Sequence, residues 1–290
     1  MLDWTNIIKQ LNQVTGKAES IDSSRTISGG SINSAYYVLM DSGHEYFLKT
    51  NSMKFEDMFA AEYEALHEFQ IVESLIIPQP YCYGNSKSEC FIIMEYIPLN
   101  SCGDSFQFGK NLAKMHAIEA KQYGWSRNNT IGSTPQSNTQ HHNWVEFWRQ
   151  ERLIPQFEML YLQGYKGQIK VYADQLLEQL DSFFENHNPA PSLLHGDLWS
   201  GNYAFDQNGQ GVLFDPALYY GDREADLAMT ELFGGFSADF YSGYQEEFPL
   251  ADGYKKRKSM YNLYHILNHA NLFGSSYLKQ ADQLLRHLIK

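Results

Sequence analysis

What most constrains this chain is the point at which its strand-forming segments stop. Through residue 96, short runs of β-branched and aromatic residues alternate with turn residues. Beyond Pro98–Gly103, apolar residues recur at helical spacing almost to the end. In the first part, Leu2, Ile7, Ile8, Leu11 and Val14 predict a helix over 2–15. Strands are expected near 25–28, 35–40 and 45–50, the last two joined by the turn Asp41-Ser42-Gly43-His44. A helix over 55–70 precedes two more strands at 81–84 and 90–96. The run Phe91-Ile92-Ile93-Met94 is apolar on both faces and predicts a central, buried strand. Helices are expected over 104–117, 143–163, 168–186, 223–233, 237–247, 254–273 and 275–289. Residues 118–142 read as a long loop, and 193–215 as short strand pieces around Asn208-Gly209. The pattern predicts an α+β protein: a small strand-rich lobe over 1–97, a connector over 98–103 and a large helical lobe over 104–290.

Composition removes several function classes. Hydrophobic residues make up 43% of the 290, which excludes a disordered chain. The formal net charge of −12 argues against nucleic acid or an anionic membrane as a partner. No apolar run approaches the ~18 residues of a membrane span. The start, Met1-Leu2-Asp3-Trp4, has no basic stretch before an apolar one, so a signal peptide is not expected and the cytoplasm is the expected location. Cys82, Cys90 and Cys102 are odd in number and form no C-x-x-C, so they read as plain thiols. Oligomeric state is not legible.

Four segments carry candidate chemistry. Phe55, Phe59, Leu66 and Phe69 line one face of the 55–70 helix, and Glu62 falls within that stripe. A carboxylate there needs a partner. Lys49, in the strand Tyr46-Phe47-Leu48-Lys49, is a candidate, and a strand Lys paired with a helix Glu holds nucleotide phosphates in kinase-type folds. The alternative places Lys49 on a solvated face and Glu62 at the stripe's edge. Upstream, Ser28-Gly29-Gly30-Ser31-Ile32-Asn33 suits either a phosphate-covering turn or a plain hairpin. The strongest segment is His195-Gly196-Asp197-Leu198-Trp199-Ser200-Gly201-Asn202. Its H-x-D with Asn five residues after the Asp matches a kinase catalytic loop. There Asp197 would accept the proton of an attacking hydroxyl, and Asn202 would offer a neutral oxygen to Mg²⁺. Asp215, at the end of Val212-Leu213-Phe214-Asp215, suits a second Mg²⁺ contact. Asp226, one turn into a helix among apolar neighbours, reads as a structural brace for the loop at 195–197.

With these residues in view, the chain resembles the fructosamine kinase (ketosamine kinase) family, within the aminoglycoside-phosphotransferase-like and protein-kinase-like folds. The matching stretches are G-G-S-I-N at 29–33, F-L-K at 47–49, A-E-Y-E-A-L at 61–66, G-W-x-x-x-N-T-I-G at 124–132 and W-V-E-F-W-x-x-x-R-L-x-P at 144–155. They continue with H-G-D-L-W-S-G-N at 195–202, F-D-P-A at 214–217, G-D-R-E-A-D-L-A-M at 221–229 and F-G-G-F at 233–236. The resemblance implies a two-lobe fold with an ATP cleft between a nucleotide-binding lobe and a helical substrate lobe. It implies ATP- and Mg²⁺-dependent phosphorylation of a ketosamine hydroxyl on a glycated amine or lysine, serving deglycation. By the same resemblance, Asp197 looks like the base, with His195 and Asp226 in support. Asn202 and Asp215 look like magnesium ligands, and Lys49 with Glu62 like the phosphate clamp. Gly29, Gly30 and Ser31 look like the phosphate-covering loop, and Met94, Glu95, Tyr96 and Ile97 like the adenine hinge. Some relatives carry Cys at the position of Ser31, and D-P-A replaces D-F-G.

Trp199 is a candidate for stacking on a sugar ring or for anchoring the loop. Asn129 and Trp144 are candidates for bordering the same cleft. Two other readings stand beside the ketosamine kinase: a kinase of another small alcohol, such as an aminoglycoside or amino alcohol, and a nucleotide-binding protein without turnover.

Overall fold

The computed structural model describes residues 2–27 and 33–290. In chain order the helices are α1 (Trp4–Thr15), α2 (Glu56–Glu68), α3 (Ser105–His116), α4 (Trp144–Phe147), α5 (Ile154–Leu162), α6 (Gln168–Glu178), α7 (Glu224–Leu232), α8 (Ala238–Glu247), α9 (Tyr254–Phe273) and α10 (Ser275–Leu288). The strands are β1 (Ile21–Ile27), β2 (Ser34–Met40), β3 (Glu45–Ser52), β4 (Pro80–Ser86), β5 (Glu89–Glu95), β6 (Asn129–Ile131), β7 (Thr134–Gln136), β8 (Ser192–Leu194), β9 (Tyr203–Phe205), β10 (Gly211–Leu213) and β11 (Tyr219–Gly221). They divide into two compact units. One comprises Met1–Gly103 with Ala204–Pro216, the other Asp104–Tyr203 with Ala217–Lys290.

The first unit is built on an antiparallel sheet in the order β1-β2-β3-β5-β4. β5 lies inside it, and its alternation explains a run that is apolar on both faces. Phe91 and Ile93 join Ile7, Leu11, Val38 and Leu48 in a core under α1. Cys90, Ile92 and Met94 join Phe59 and Leu66 in a second core under α2. Asp3 starts α1 by accepting a hydrogen bond from Asn6 N, and Gly16 ends it. β1 runs from residue 21, earlier than the 25–28 read from the sequence. Its exposed Asp22, Ser23, Ser24 and Arg25 conceal the strand from a hydrophobicity reading, as befits an edge.

Residues 204–216, read from the sequence as part of the helical lobe, pack with this first unit. The reason is backbone pairing. Ile76 bridges Val212 in parallel, through Ile76 N to Gly211 O and Leu213 N to Ile76 O. Asn100 bridges Phe205 in the antiparallel sense. The carboxylate of Asp215 is thereby delivered to the sheet.

The second unit is helical. α3 is capped by Asp104, which accepts from Gln107 N at 2.9 Å, and it packs on α8. The stretch read as one helix over 143–163 is α4 and α5 joined by a π-helical turn at Trp148–Leu153. That turn brings Trp148 and Arg152 both fully inside. The long loop at 118–142 contains the hairpin β6/β7. Among the described residues, no helix is long and apolar enough to cross a membrane.

Candidate active site

In the first unit, Leu48 on β3 points into the α1 core, so the next residue, Lys49, points toward α2. Lys49 is 6% exposed, and its ammonium meets Glu62 Oε1 at 2.6 Å and the carboxylate of Asp215. Burial acts to discharge the ammonium, but Asp215 and Glu62 outweigh it and hold the pKa above its ordinary value. Lys49 therefore stays charged. Burial pushes the Glu62 carboxyl up, and Lys49 opposes that push. Asp215 follows β10 with φ +58°, a left-handed conformation uncommon outside glycine. Its carboxylate remains about half exposed although it touches Lys49.

Met94 and Glu95 end β5, and Tyr96 and Ile97 continue beyond it. Glu95 N donates to Gln79 O at 2.8 Å, and the Tyr96 ring meets Tyr37 edge-on at 4.7 Å. Gly29, Gly30 and Ser31 lie outside the described residues. Asn33, the first described residue after them, accepts from Asn51 Nδ2 at 2.7 Å.

In the second unit, β8 ends at Leu194 and pairs with β11, placing Tyr219 opposite Leu194. The chain then bends: Ala217 N donates to His195 O at 2.8 Å, and Gly196 takes φ +81°. A Cβ on Gly196 would collide with the Ala217 carbonyl, so the glycine of H-G-D is a backbone requirement. Asp226, in the first turn of α7, sits beneath this bend. Its two oxygens accept from His195 N at 2.7 Å and Gly196 N at 2.9 Å, and His116 Nε2 lies 3.2 Å from the first of them. Burial alone would raise this carboxyl, but His116, His195 and the Gly196 amide hold it below its ordinary value. Burial lowers the His116 pKa and keeps the ring neutral. The neutral ring then donates from Nε2 to Asp226 and accepts on Nδ1 from Tyr244 OH, 2.8 Å away.

Asp197, half-buried, follows the bend. Asn202 closes the loop, its Nδ2 donating to Asp197 O at 2.8 Å and to Asp197 Oδ2 at 3.1 Å, its own N–H to Trp199 O at 3.0 Å. The carboxamide oxygen of Asn202 is left as the donor atom a cation would take. Trp199 is 39% exposed, and one face of its indole lies over Gly201, where any Cβ would collide with the ring.

Asn129 and Trp144, read from the sequence as cleft residues, are interior. Asn129 is buried; its Nδ2 donates to Leu218 O, and its Oδ1 accepts from Gln136 and Asn138 at 2.9 Å each. It ties the N-T-I-G hairpin to the segment before β11. Trp144 is 3% exposed, donates to Tyr261 OH at 3.0 Å and packs among Tyr123, Phe147 and Trp148. Both motifs are therefore built into the packing of the helical unit. His116 and Tyr244, which support Asp226, were missed: a His ending one helix and a Tyr within another give no sequence signal of a shared partner.

Comparison with known proteins decides the family. The fructosamine kinase family model matches residues 3–290. The chain belongs to the fructosamine kinase family. It is 41% identical over 290 residues to a protein assigned as a ketoamine kinase in Vibrio parahaemolyticus, covering 99% of each chain. It is 41% identical over 282 residues to the chloroplastic protein-ribulosamine 3-kinase of Oryza sativa subsp. indica, covering 96% of this chain and 82% of the relative. A crystal structure assigned as a fructosamine-3-kinase from Haemophilus somnus superposes with a TM-score of 0.89 at 27% identity, covering 99% and 98% of the two chains. The fold extends to an aminoglycoside phosphotransferase solved with ADP, at a TM-score of 0.66 and 15% identity. A fructosamine kinase family member with this protein-kinase-like fold is a phosphotransferase.

Proposed function

We infer that this protein phosphorylates a hydroxyl of a ketosamine carried on a glycated amine or lysine, using ATP and Mg²⁺, in the service of deglycation. The observation that carries the reading is the near full-length match to protein-ribulosamine 3-kinases. The residues suit the cofactors. Asp215 and Asn202 are hard oxygen donors, as Mg²⁺ requires, and Lys49 is a buried ammonium held in its charged form by Asp215 and Glu62. A bound Mg²⁺ would neutralise phosphate charge during transfer.

In this reading Lys49, oriented by Glu62, holds the nucleotide phosphates. Gly29, Gly30 and Ser31 cover them, and the backbone of Met94–Ile97 takes the adenine. Asp197 accepts the proton of the attacking hydroxyl; its second task, receiving the Asn202 amide, fixes the carboxylate's direction. Asp226 acts only through the backbone of the loop. The exposed face of the Trp199 indole is the stacking surface for the sugar. The chain's location is proposed to be the cytoplasm.

The test is ADP release with Mg-ATP and ribulosyl-, fructosyl- and erythrulosyl-lysine beside aminoglycosides and choline. Turnover on a ketosamine is expected. It should fall about 10²–10⁴-fold in Asp197→Asn while nucleotide binding persists. Turnover confined to an aminoglycoside or choline would overturn the substrate, and full turnover in Asp197→Asn would overturn the base.

A further inference from the structure

A cavity of about 330 Å³ opens in the helical unit among α7, α8 and the start of α9. It is lined by Tyr241, Tyr244 and Tyr254, by Leu227 and Leu250, and by Glu231, with Ser242 and Gln245 on its α8 side. None of the residues assigned above to nucleotide, metal or sugar lines it. Tyrosine faces beside a carboxylate are the surroundings that favour an organic cation with an apolar stem.

The protein itself displays this chemistry at the carboxylate. Lys258 places its ammonium 2.5 Å from Glu231 Oε2, about 6.0 Å from the centre of the Tyr254 ring. Tyr254 OH donates to the other oxygen at 2.6 Å. Lys258 and Glu231 each keep 30% of their side-chain surface exposed, so this pair is open to exchange with a competing ammonium.

A second observation ties the cavity to the catalytic loop. Tyr244, one of its walls, bonds His116 at 2.8 Å; His116 bonds Asp226 at 3.2 Å; and Asp226 holds the amides of His195 and Gly196. His116, Tyr244 and Asp226 are each at most 2% exposed, so the chain runs through the interior by direct hydrogen bonds. Arg223 Nη1 donates to the same Tyr244 oxygen at 3.0 Å.

We propose that this cavity is a second binding site, for an alkylammonium of the lysine side-chain class, and that its occupancy is felt at the catalytic loop through Tyr244, His116 and Asp226. The ligand's ammonium displaces Lys258 from Glu231, and its methylene stem lies against Tyr241, Tyr254 and Leu250. The binding site does not depend on the kinase reading; only its effect on turnover does.

The test uses N-acetyl-lysine methylamide as the probe and isothermal titration as the readout. Saturable binding is expected to wild type, and its weakening or loss in the two variants that follow, neither at a residue assigned to the catalytic site, separates this site from the catalytic one. Glu231→Gln should weaken it at least about tenfold, the loss of a charge-assisted contact. Ser242→Trp, made from an exposed α8 position on the cavity wall, should abolish it and leave basal turnover unchanged. Saturating probe should change KM or kcat for the ketosamine in wild type, and Tyr244→Phe should keep binding while losing that change. No saturable binding to wild type, or equal binding to Glu231→Gln and Ser242→Trp, overturns the site. Binding without any kinetic change in wild type, or with the change intact in Tyr244→Phe, overturns the coupling.

Discussion

The two units hold their candidate functional groups by different physical means. In the first, Lys49, Glu62 and Asp215 are three side chains from a strand, a helix and a strand end, and each is positioned by the charge of the others. In the second, one carboxylate, Asp226, holds backbone amides, and the positions of the candidate residues Asp197 and Asn202 follow from the course of that backbone. A charge cluster is sensitive to any change in the charge of its members. A braced backbone is indifferent to the charge of what it carries but depends on every hydrogen bond in the brace.

Of the variants that test this comparison, neutralising Lys49 should have the largest effect on activity. Lys49→Met leaves two carboxylates facing one another in a buried position without their cation, and it removes the group assigned to the phosphates. A fall of roughly 10²–10³-fold in kcat/KM for ATP is expected, read by steady-state kinetics, with the helical unit's stability unaffected. An equal loss in Asp226→Asn and Lys49→Met at unchanged Tm would erase the distinction between the two regions.

Asp226→Asn should instead act on the fold. An amide in this position can accept one amide N–H but presents its own N–H₂ to the other. A loss of roughly 1–3 kcal/mol is expected, the cost of a buried hydrogen-bonding group left unsatisfied, read as a lowered urea midpoint. The pH dependence follows from the direction of the Asp226 shift. Its folded pKa lies below the ordinary 3.8, so its contribution is complete above that value and is lost as pH falls through the folded pKa. Wild type should therefore lose more stability than Asp226→Asn on acidification below about pH 4. Parallel acid curves for the two proteins would remove the carboxylate from the brace.

These two regions were unequally legible in the sequence. The H-G-D-L-W-S-G-N loop is contiguous, so its spacing could be matched directly. Lys49 and Glu62 were legible because period-2 and period-3.6 patterns each mark the face a residue occupies. That Asp215 completes their cluster was not, because it depends on residues 204–216 pairing with Ile76 and Asn100 through the backbone, which carries no residue-type signal. The same limit hid His116 and Tyr244. The sequence suggests Asn129 as a cleft residue because it lies in a long loop, and Trp144 because it lies close to that loop. The hairpin β6/β7 and the aromatic packing around Trp144 instead turn them inward. The π-helical turn was also invisible, since Trp148 and Arg152 are compatible with a regular helix at their spacing.

His265, on α9, adds a second acid-sensitive group to the helical unit. It is 3% exposed, and burial pushes its pKa down to about 3, with His269 adding to the push. A ring that is neutral when folded and charged when unfolded takes up protons only on unfolding. Stability should therefore fall as pH drops from about 6.5 toward 3, by up to ~1.4 kcal/mol per pH unit. His265→Asn should flatten that slope in urea melts, and an unchanged slope would place the titration elsewhere. Lys49 itself adds no such acid window. The raised pKa of Lys49 contributes stability in full below its ordinary 10.5 and loses it only as pH rises beyond.

The smallest expected effect comes from the one large aromatic of the catalytic loop that faces solvent. Trp199 is held from one side by Gly201 and exposed on the other, so its ring is placed by the braced backbone and not by a charge. If its exposed face stacks on the sugar, Trp199→Phe should keep part of the contact and Trp199→Ala should lose it. The loss corresponds to about 0.5–1.5 kcal/mol, or roughly two- to tenfold in KM for the ketosamine, with KM for ATP unchanged. A packing anchor would behave otherwise: Trp199→Ala would loosen the loop that carries Asp197, lower kcat and leave KM for the ketosamine nearly as it was. The split between KM and kcat therefore separates the two roles, and the Phe variant orders them, because a smaller ring still stacks but no longer covers Gly201 to the same extent.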